Sequence, residues 1–416
     1  MRRSLHPWLV VALLWVVIVV NYIDRQLIYS VFPLIKTDMK LSDVELGLIS
    51  AAFVWVYGCV SPIAGYMGDR WGRVKVIVAS LVVWSVVTWM TGHTHTFRSL
   101  VSIRGIMGLS EACYLPAALA LIADVHKAES VSRATGLHQS GIYIGIVLGG
   151  VGGGWLGEHY GWRFAFTLLG LFGVCYAAVL ITLLKRADHT ARPMCTTALR
   201  FYPAVRELAS LRSFSHIVLA FSAFAIANWV IYTWLPLYFY EKFSASLAAA
   251  GFSATFYLQF ASIAGVMAGG WLADHWSSQR PRARILVQVI GTVVASPCLF
   301  FAGFTSSEVA AVAMLILFGL GKGLYDANTM PVLAQVARSE LRATGYGIMN
   351  CAGCVAGGIA ASGAGWLKEV LGLGFVFQLS GAILLSTVLL LLRIRISAGQ
   401  ASVAIGGISS ASGAAY

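Results

Sequence analysis

The chain has 416 residues, of which 58% are apolar and only 11% charged, against about 25% charged in a soluble globular domain, which excludes an ordinary soluble enzyme. Net charge is +12, from 29 Lys/Arg and 17 Asp/Glu; such an excess can mark a nucleic-acid binder, but here the basic residues sit in short loops between apolar blocks, so no nucleic-acid partner is expected. Those blocks number about twelve at roughly 20 residues each, the length of a helix that crosses a bilayer, and they leave no room for a separate soluble domain.

The predicted spans of the first half, residues 1–184, are 8–36, 43–68, 75–94, 97–123, 133–156 and 162–184. Span 1 follows Arg2 and Arg3, as a signal peptide would, but it contains Asp24 and Arg25 and lacks a small-residue cleavage site. Asp24 and Arg25 are adjacent, so on a helix they point about 100° apart and each needs a partner elsewhere. The same span carries Asn21, Tyr22, Tyr29 and Pro33. Span 2 carries Tyr57 and ends in Gly65-Tyr-Met-Gly-Asp69-Arg70-Trp-Gly72-Arg73-Val-Lys75. There Gly65 admits a neighbouring helix, and Asp69, Arg70 and Arg73 can make and break ion pairs as a gate; a static charge cluster is the alternative. Span 4 carries Arg104 and Glu111, seven apart on one stripe, with Gly108 between them, and then Tyr114. Span 5 has Gly141, Gly145, Gly149, Gly153 and Gly157 at a strict spacing of four, a smooth face for close helix contact. Its His138 and Gln139 read as core residues before ligands.

Residues 185–212 are the longest charged connection and read as a cytoplasmic linker. The second half, 213–396, has predicted spans 213–240, 247–273, 284–303, 308–336, 343–366 and 372–392. Span 7 carries Asn228, Tyr232 and Pro236; span 8 carries Gln259 and leads into Asp274. On span 10, Lys322 and Asp326 are i, i+4 and can pair directly, with Asn328 following. Span 11 carries Asn350 and a CxxC, Cys351 and Cys354. Seven cysteines, mostly in apolar spans, make no disulfide framework, and no second CxxC or His pair completes a zinc site. The CxxC reads as packing, and no metal or cofactor is expected. The Gly/Ser/Ala-rich tail, 397–416, is expected to be disordered.

The halves repeat. GLSEACYLP at 108–116 returns as GLYDANTMP at 323–331, RATG at 133–136 returns at 342–345, and AGYMGDRW at 64–71 returns as GGWLADHW at 269–276, all in the same order. A six-span unit is therefore duplicated with the same membrane orientation. Lys36, Lys40, Arg98, Arg163, Lys242 and Lys368 are the basic residues placed on one side, and most others fall on the opposite side. By the positive-inside rule both termini are cytoplasmic. Between the halves, Asp24 and Arg25 fall opposite Ala227 and Asn228, and Arg104 opposite Gly319; Glu111 alone keeps an acidic counterpart, Asp326.

An ionisable residue at the centre of a bilayer costs a few kcal/mol on insertion scales, so Asp24, Arg25, Arg104, Glu111, Lys322 and Asp326 are functional candidates. A buried carboxylate can carry a proton, because burial and a nearby cation act on it in opposite directions; Glu111 and Asp24 are assigned that role. Arginine stays charged and can hold a carboxylate with two parallel hydrogen bonds, a role for Arg25 or Arg104. A fixed buried network joining spans 1 and 4 is the alternative. Lys322 and Asp326 form a structural or coupling pair. Tyr29, Tyr57, Tyr114, Asn228, Tyr232, Gln259, Asn328 and Asn350 are candidates to line the same cavity. No phosphate-binding GxxxxGK[ST] occurs, and no Ser/His/Asp or metal constellation supports an enzyme. A channel or a non-transporting receptor would be told from a carrier by flux and counterflow.

The loop at 65–75 resembles GxxxDRxGR, the signature cytoplasmic loop of the major facilitator superfamily. The resemblance implies an all-α membrane fold of about twelve helices in two parallel six-helix halves, with the substrate between them near the midplane. In the second copy Gly270 and Asp274 remain, but His275 and Ser277 replace Arg70 and Gly72, so that gate contact is expected to be weaker or different. Glycine patterns like that of span 5 occur in this superfamily at the interface between halves. Asn21-Tyr22-Ile23-Asp24-Arg25-Gln26 resembles NYxDR of two branches, the anion:cation symporters of sugar acids and other carboxylates, and the Spinster-like lipid transporters. Glu111 matches an acidic position in both, while Leu41-Ser42-Asp43 and Leu46-Gly47 lean toward the second. In the symporters, the positions of Asp24 and Glu111 are implicated in proton coupling and that of Arg25 in anion binding. The expectation is a proton-coupled symporter of a small organic anion working by alternating access, with an amphiphile such as a lysolipid or sphingolipid as the alternative substrate. The expected partners are that substrate, protons and the lipid bilayer, in a bacterial inner membrane. One chain holds both halves, so a monomer is expected to function.

Overall fold

A computed structural model describes residues 6–184, 201–277, 279–338 and 341–396. Among these residues every regular element is a helix. The first half holds α1 (Pro7–Ser30), α2 (Phe32–Met39), α3 (Asp43–Trp71), α4 (Arg73–Thr91), α5 (Phe97–Ala112), α6 (Tyr114–Val125), α7 (Ala128–Tyr160) and α8 (Trp162–Leu184). Then come α9 (Phe201–Ser210), α10 (Arg212–Phe243), α11 (Leu247–Ser277), α12 (Ala283–Phe304), α13 (Glu308–Val336) and α14 (Arg342–Leu392). They supply eleven segments long and apolar enough to cross a membrane. The longest, α14 with 51 residues, is broken at Gly372, where φ is 80° and ψ 163°, a conformation open to glycine and rare for other residues. That break divides α14 into the eleventh and twelfth predicted spans. Gly161 (φ 84°) makes the equivalent single-residue turn between α7 and α8, and Gly72 (φ 91°) does so between α3 and α4.

Prolines set the other breaks. Pro33 has no N–H for the Tyr29 carbonyl, and the helix breaks at Val31 between α1 and α2. Pro116 likewise cannot donate to Ala112, and the predicted fourth span bends at Cys113 between α5 and α6. Elsewhere the ends are capped. Ser42 and Glu45 form a reciprocal capping box at the start of α3, which satisfies two otherwise orphaned backbone donors. Ser307 accepts from Ala310 N–H at the start of α13.

Packing repeats between the halves. In the first, α1 lies on α7, α3 on α5 and α4 on α8; in the second, α10 lies on α14, α11 on α13 and α12 on α14. Two seams join the halves, α3 with α14 and α7 with α11. The predicted linker contains α9, whose Glu207 pairs with Arg338 of the second half at 2.5 Å. The remainder of that linker, 185–200, and the predicted disordered tail lie outside the described residues.

The glycine stripe of span 5 faces α1, inside the first half. A Cβ at Gly145 would stand 2.6 Å from the Val19 carbonyl oxygen, and one at Gly149 would stand 2.8 Å from that of Ile23. The seam with the second half uses other glycines of α7: Gly150 approaches Thr255 and Gly251, and Gly154 approaches Leu247 and Ala248. The period identified a smooth face, and the resemblance placed such faces between halves. The tertiary fold instead turns this stripe to the neighbouring helix α1.

Candidate functional site

Four of the six membrane-embedded charges converge in the first half. The Arg25 Nε donates to Glu111 Oε2 at 2.6 Å, with the Glu111 side chain fully shielded and Arg25 12% exposed. The guanidinium lies between the rings of Tyr22 and Tyr57, at 4.7 and 4.5 Å from their centroids, with Phe53 at 5.2 Å. Such cation–π contacts hold the planar group in one orientation. Because Nε serves Glu111, the edge formed by the two terminal nitrogens stays available for a bidentate acceptor. Asp24 is 1% exposed, its Oδ1 has no partner among the described residues, and Arg104, Glu111, Arg25 and Thr88 surround it. Arg104 is fully buried. It rests over the Phe53 ring at 4.7 Å and donates to Met107 Sδ at 2.9 Å, while its Nε and Nη2 have no partner among the described residues. These groups therefore form one buried cluster with more hydrogen-bonding capacity than partners. Such a cluster is costly in hydrocarbon, which makes it the candidate functional site of the first half.

Across from it, Lys322 and Asp326 pair directly on α13, with Tyr143 of α7 and Tyr232 of α10 beside Lys322. Tyr22 has Tyr57, Tyr232 and Tyr346 as neighbours, and Tyr346 in turn neighbours Tyr57 and Asp326. Tyrosines of both halves thus lie near the two ion pairs, Tyr22, Tyr57 and Tyr143 from the first and Tyr232 and Tyr346 from the second. Trp229 extends it, lying 6.5 Å from Phe53 and 6.5 Å from Tyr232. Asn228 is half-buried one turn before Tyr232. Gln259 is buried, and neither amide atom has a partner among the described residues.

Other candidates are occupied by the fold itself. The Tyr29 hydroxyl meets Ser50 Oγ at 3.2 Å, and Ser50 meets Thr233 Oγ1 of the second half at 2.9 Å. Tyr114 donates to the Leu14 carbonyl at 2.8 Å and contacts His138 Nε2 at 2.9 Å, inside the core of the first half. Asn328 donates to the Leu324 and Gly269 carbonyls, joining α13 to α11. Asn350 donates to Ser61 Oγ at 3.0 Å across the α3–α14 seam. Two surface hollows of about 450 and 230 Å³, the first lined by Phe301, Thr305 and Met314 and the second by Tyr238, Glu241 and Lys242, share no residue with the charged centre.

At the gate, the side chains of Gly65, Asp69 and Arg70 lie outside the described residues. Arg73 is buried, pairs with Asp124 and donates to the Ala120 carbonyl at 2.7 Å. The second-half Asp274 pairs with Arg284 at 3.5 Å and is mostly exposed. The ion pair across the halves, among the described residues, lies at the opposite end. Lys368 reaches Asp43 at 2.8 Å and Glu241 at 2.8 Å, Lys36 shares Asp43 at 2.7 Å, and Glu369 accepts from the Asp43 N–H at 3.0 Å.

Sequence reasoning missed Tyr143, Tyr346, Phe53 and this Lys36–Asp43–Lys368 lock. Tyr143 had a signal, since it lies off the glycine face of α7 and is its one membrane-embedded tyrosine remote from the helix end. The lock had none, because its members are ordinary loop-proximal charges until the halves are assembled.

The family model described as Major Facilitator Superfamily matches residues 14–361. The chain is 25% identical over 404 residues to GarP of Escherichia coli (strain K12), a probable galactarate/D-glucarate transporter, covering 89% of this chain and 90% of that one. It is 24% identical over 340 residues to Protein spinster homolog 1 of Xenopus tropicalis, covering 76% and 63%. Among solved structures, the crystal structure of a bacterial homologue of the human lysosomal transporter Spinster, inward-facing and unoccupied, superposes with a TM-score of 0.76 at 20% identity, over 97% of this chain and 98% of that one. At that identity the likeness speaks for the fold.

Proposed function

Within the Major Facilitator Superfamily, to which this chain belongs, we propose that it is a proton-coupled symporter of a small organic anion, a sugar acid or related carboxylate. The chain is a multi-pass membrane protein and a secondary transporter; the substrate class and the coupling are the proposal. One observation carries it: a single guanidinium, Arg25, spends one edge on Glu111 and keeps its forked edge for an anion. Protonation of Glu111 removes the charge that holds Arg25 and leaves the guanidinium to the incoming carboxylate. Loss of that proton returns Arg25 to Glu111 and expels the anion. Proton and substrate are then linked through one side chain, as coupling requires. Asp24, buried beside the pair, is a second carrier in this reading, and Arg104 is the cation that balances whichever carboxylate is ionised. In this reading Lys322 and Asp326 approach the same tyrosines from the second half. The similarity to a probable galactarate/D-glucarate transporter supports the substrate class.

One proton with one monoanion moves no net charge, so a pH difference alone drives about tenfold accumulation per pH unit, or ~1.4 kcal/mol. If both carboxylates carry protons with a monoanion, the membrane potential adds ~2.3 kcal/mol per 100 mV; a dianion such as D-glucarate needs both protons to cross without net charge. The test uses purified protein in liposomes with a lumenal pH dye and a panel including D-glucarate and galactarate. Solute-dependent acidification is expected in the wild type. Glu111→Gln should retain exchange and lose pH-driven accumulation; a variant that still accumulates removes Glu111 from the role. The Spinster relatives favour a second reading, an amphiphilic substrate. Silence across the acid panel with lysolipid-dependent acidification would establish it.

A further inference from the structure

Three of the seven cysteines meet where the halves touch. Gly58 on α3 lies so near α14 that a Cβ there would stand 3.2 Å from the Cys354 Sγ and 3.6 Å from the Cys351 carbonyl oxygen. Beside it, the Cys59 thiol is within hydrogen-bonding reach of Cys351, and Cys354 neighbours both. Further along the same seam Ser61 is bonded to Asn350 and Pro62 faces Gly347, so α3 and α14 run past each other in a continuous antiparallel register with Cys59 opposite Cys351. All three are free thiols; Cys59 is exposed and Cys351 half-buried. Nothing in the transport reading uses them.

We propose that Cys59 and Cys351 are a redox modification site: a hydroperoxide oxidises them to a disulfide that staples the two halves together along the α3–α14 seam. The chemistry balances with one equivalent of peroxide. The Cys59 thiol gives up its proton, its sulfur attacks the peroxide oxygen, and sulfenic acid and water form. The Cys351 sulfur then attacks the sulfenic sulfur, closing the S–S bond and releasing a second water. In sum, two thiols lose two protons and two electrons and hydrogen peroxide becomes two waters. Exchange with a dithiol reverses it. Alternating access moves one half against the other around a fixed site, and α3 and α14 belong to opposite halves. A covalent bond between them holds one arrangement and arrests turnover.

The test is a cross-link between halves. A protease site is inserted in the 185–212 linker of the full chain, with Cys175 and Cys195 replaced by serine, and the protein is reconstituted in liposomes. After hydrogen peroxide and cleavage, a non-reducing gel should show one species of full mass, which separates into two fragments on adding dithiothreitol. Cys59→Ser and Cys351→Ser should each give two fragments from the start, and Cys354→Ser should behave as the parent. Two fragments from the peroxide-treated parent overturn the proposal. So does a cross-link that persists in Cys351→Ser and disappears in Cys354→Ser. D-Glucarate uptake should fall at least tenfold on oxidation and recover with dithiothreitol; unchanged uptake through a fully cross-linked protein overturns the latch. The gel reads the bond without reference to substrate, so its result stands apart from the transport reading.

Discussion

At the scale of single residues, Arg25 has the most demanding chemistry. Its guanidinium is bonded to Glu111 at 2.6 Å, lies between two tyrosine rings and keeps one forked edge. A lysine offers a point charge with no fork and a weaker match to both the rings and a carboxylate. Arg25→Lys should therefore keep the charge and the fold while losing anion affinity by about tenfold or more, the worth of one charge-assisted hydrogen bond of ~1.5–3 kcal/mol. Counterflow at graded D-glucarate measures this, and wild-type affinity in the variant would move the anion contact to Arg104. The candidates read from sequence divide cleanly here. Buried ionisable residues stand out in an apolar chain, because each is expensive there, and Asp24, Arg25, Arg104 and Glu111 do assemble. Polar and aromatic residues do not stand out in this way. Tyr57 lies against Arg25 and Tyr232 lies near Tyr22, while Tyr29 and Tyr114 are consumed by bonds to Ser50, Leu14 and His138. Nothing in the local sequence distinguishes a tyrosine that lines a cavity from one that caps a carbonyl.

At the scale of helices, α1 owes its position to the glycine face of α7. Side chains introduced on that face meet backbone, which yields less readily than a side chain end. Gly145→Val should displace α1, and with it Tyr22 and Arg25, because a Cβ at Gly145 stands 2.6 Å from Val19 O and 2.7 Å from Tyr22 Cβ. The expected cost is ~1–3 kcal/mol, as for overpacking generally, seen as a lower melting temperature in detergent. Gly152, on the same helix with nothing within 4 Å of such an atom, is the control: Gly152→Ala should leave melting unchanged or raise it, since alanine is the better helix former. Equal melting of both variants would show that the glycine face does not set the packing. The helix breaks were only partly legible. The predicted spans 11 and 12 already part at 366–372, where Gly372 breaks α14, whereas the predicted spans 1 and 4 run on through Val31 and Cys113, where the structure breaks the helix ahead of Pro33 and Pro116.

At the scale of the whole molecule, the halves are held at one end by the Asp43–Lys368 pair and its neighbours Lys36 and Glu241. Lys368 is 8% exposed and shares two carboxylates, so removing it leaves Asp43 to Lys36 alone and Glu241 without this partner. Lys368→Met should loosen that end and shift the balance of conformations toward opening there, by roughly 5- to 150-fold if the coupling is typical at ~1–3 kcal/mol. In a background with the seven native cysteines replaced by serine, a single cysteine placed at Thr233, now buried between the halves, reports it: a membrane-impermeant maleimide added on that side should label it faster in the Lys368→Met protein. An unchanged labelling rate would mean that the lock does not bias access.

By itself the sequence determined the class and the plan of this protein. Block length and apolar content dictate membrane helices, the repeated strings dictate duplication, and the sparse embedded charges mark the chemistry, because hydrocarbon penalises each of them. Only the tertiary structure decided which of those charges touch, which face of α7 meets α1 and which meets α11, and that Cys59, Asp43 and Tyr143 of the first half stand beside Cys351, Lys368 and Lys322 of the second. The reason is physical. Spacing along a helix specifies a face but not the partner that covers it, and contacts between halves pair residues hundreds of positions apart, whose local sequence carries no trace of the other.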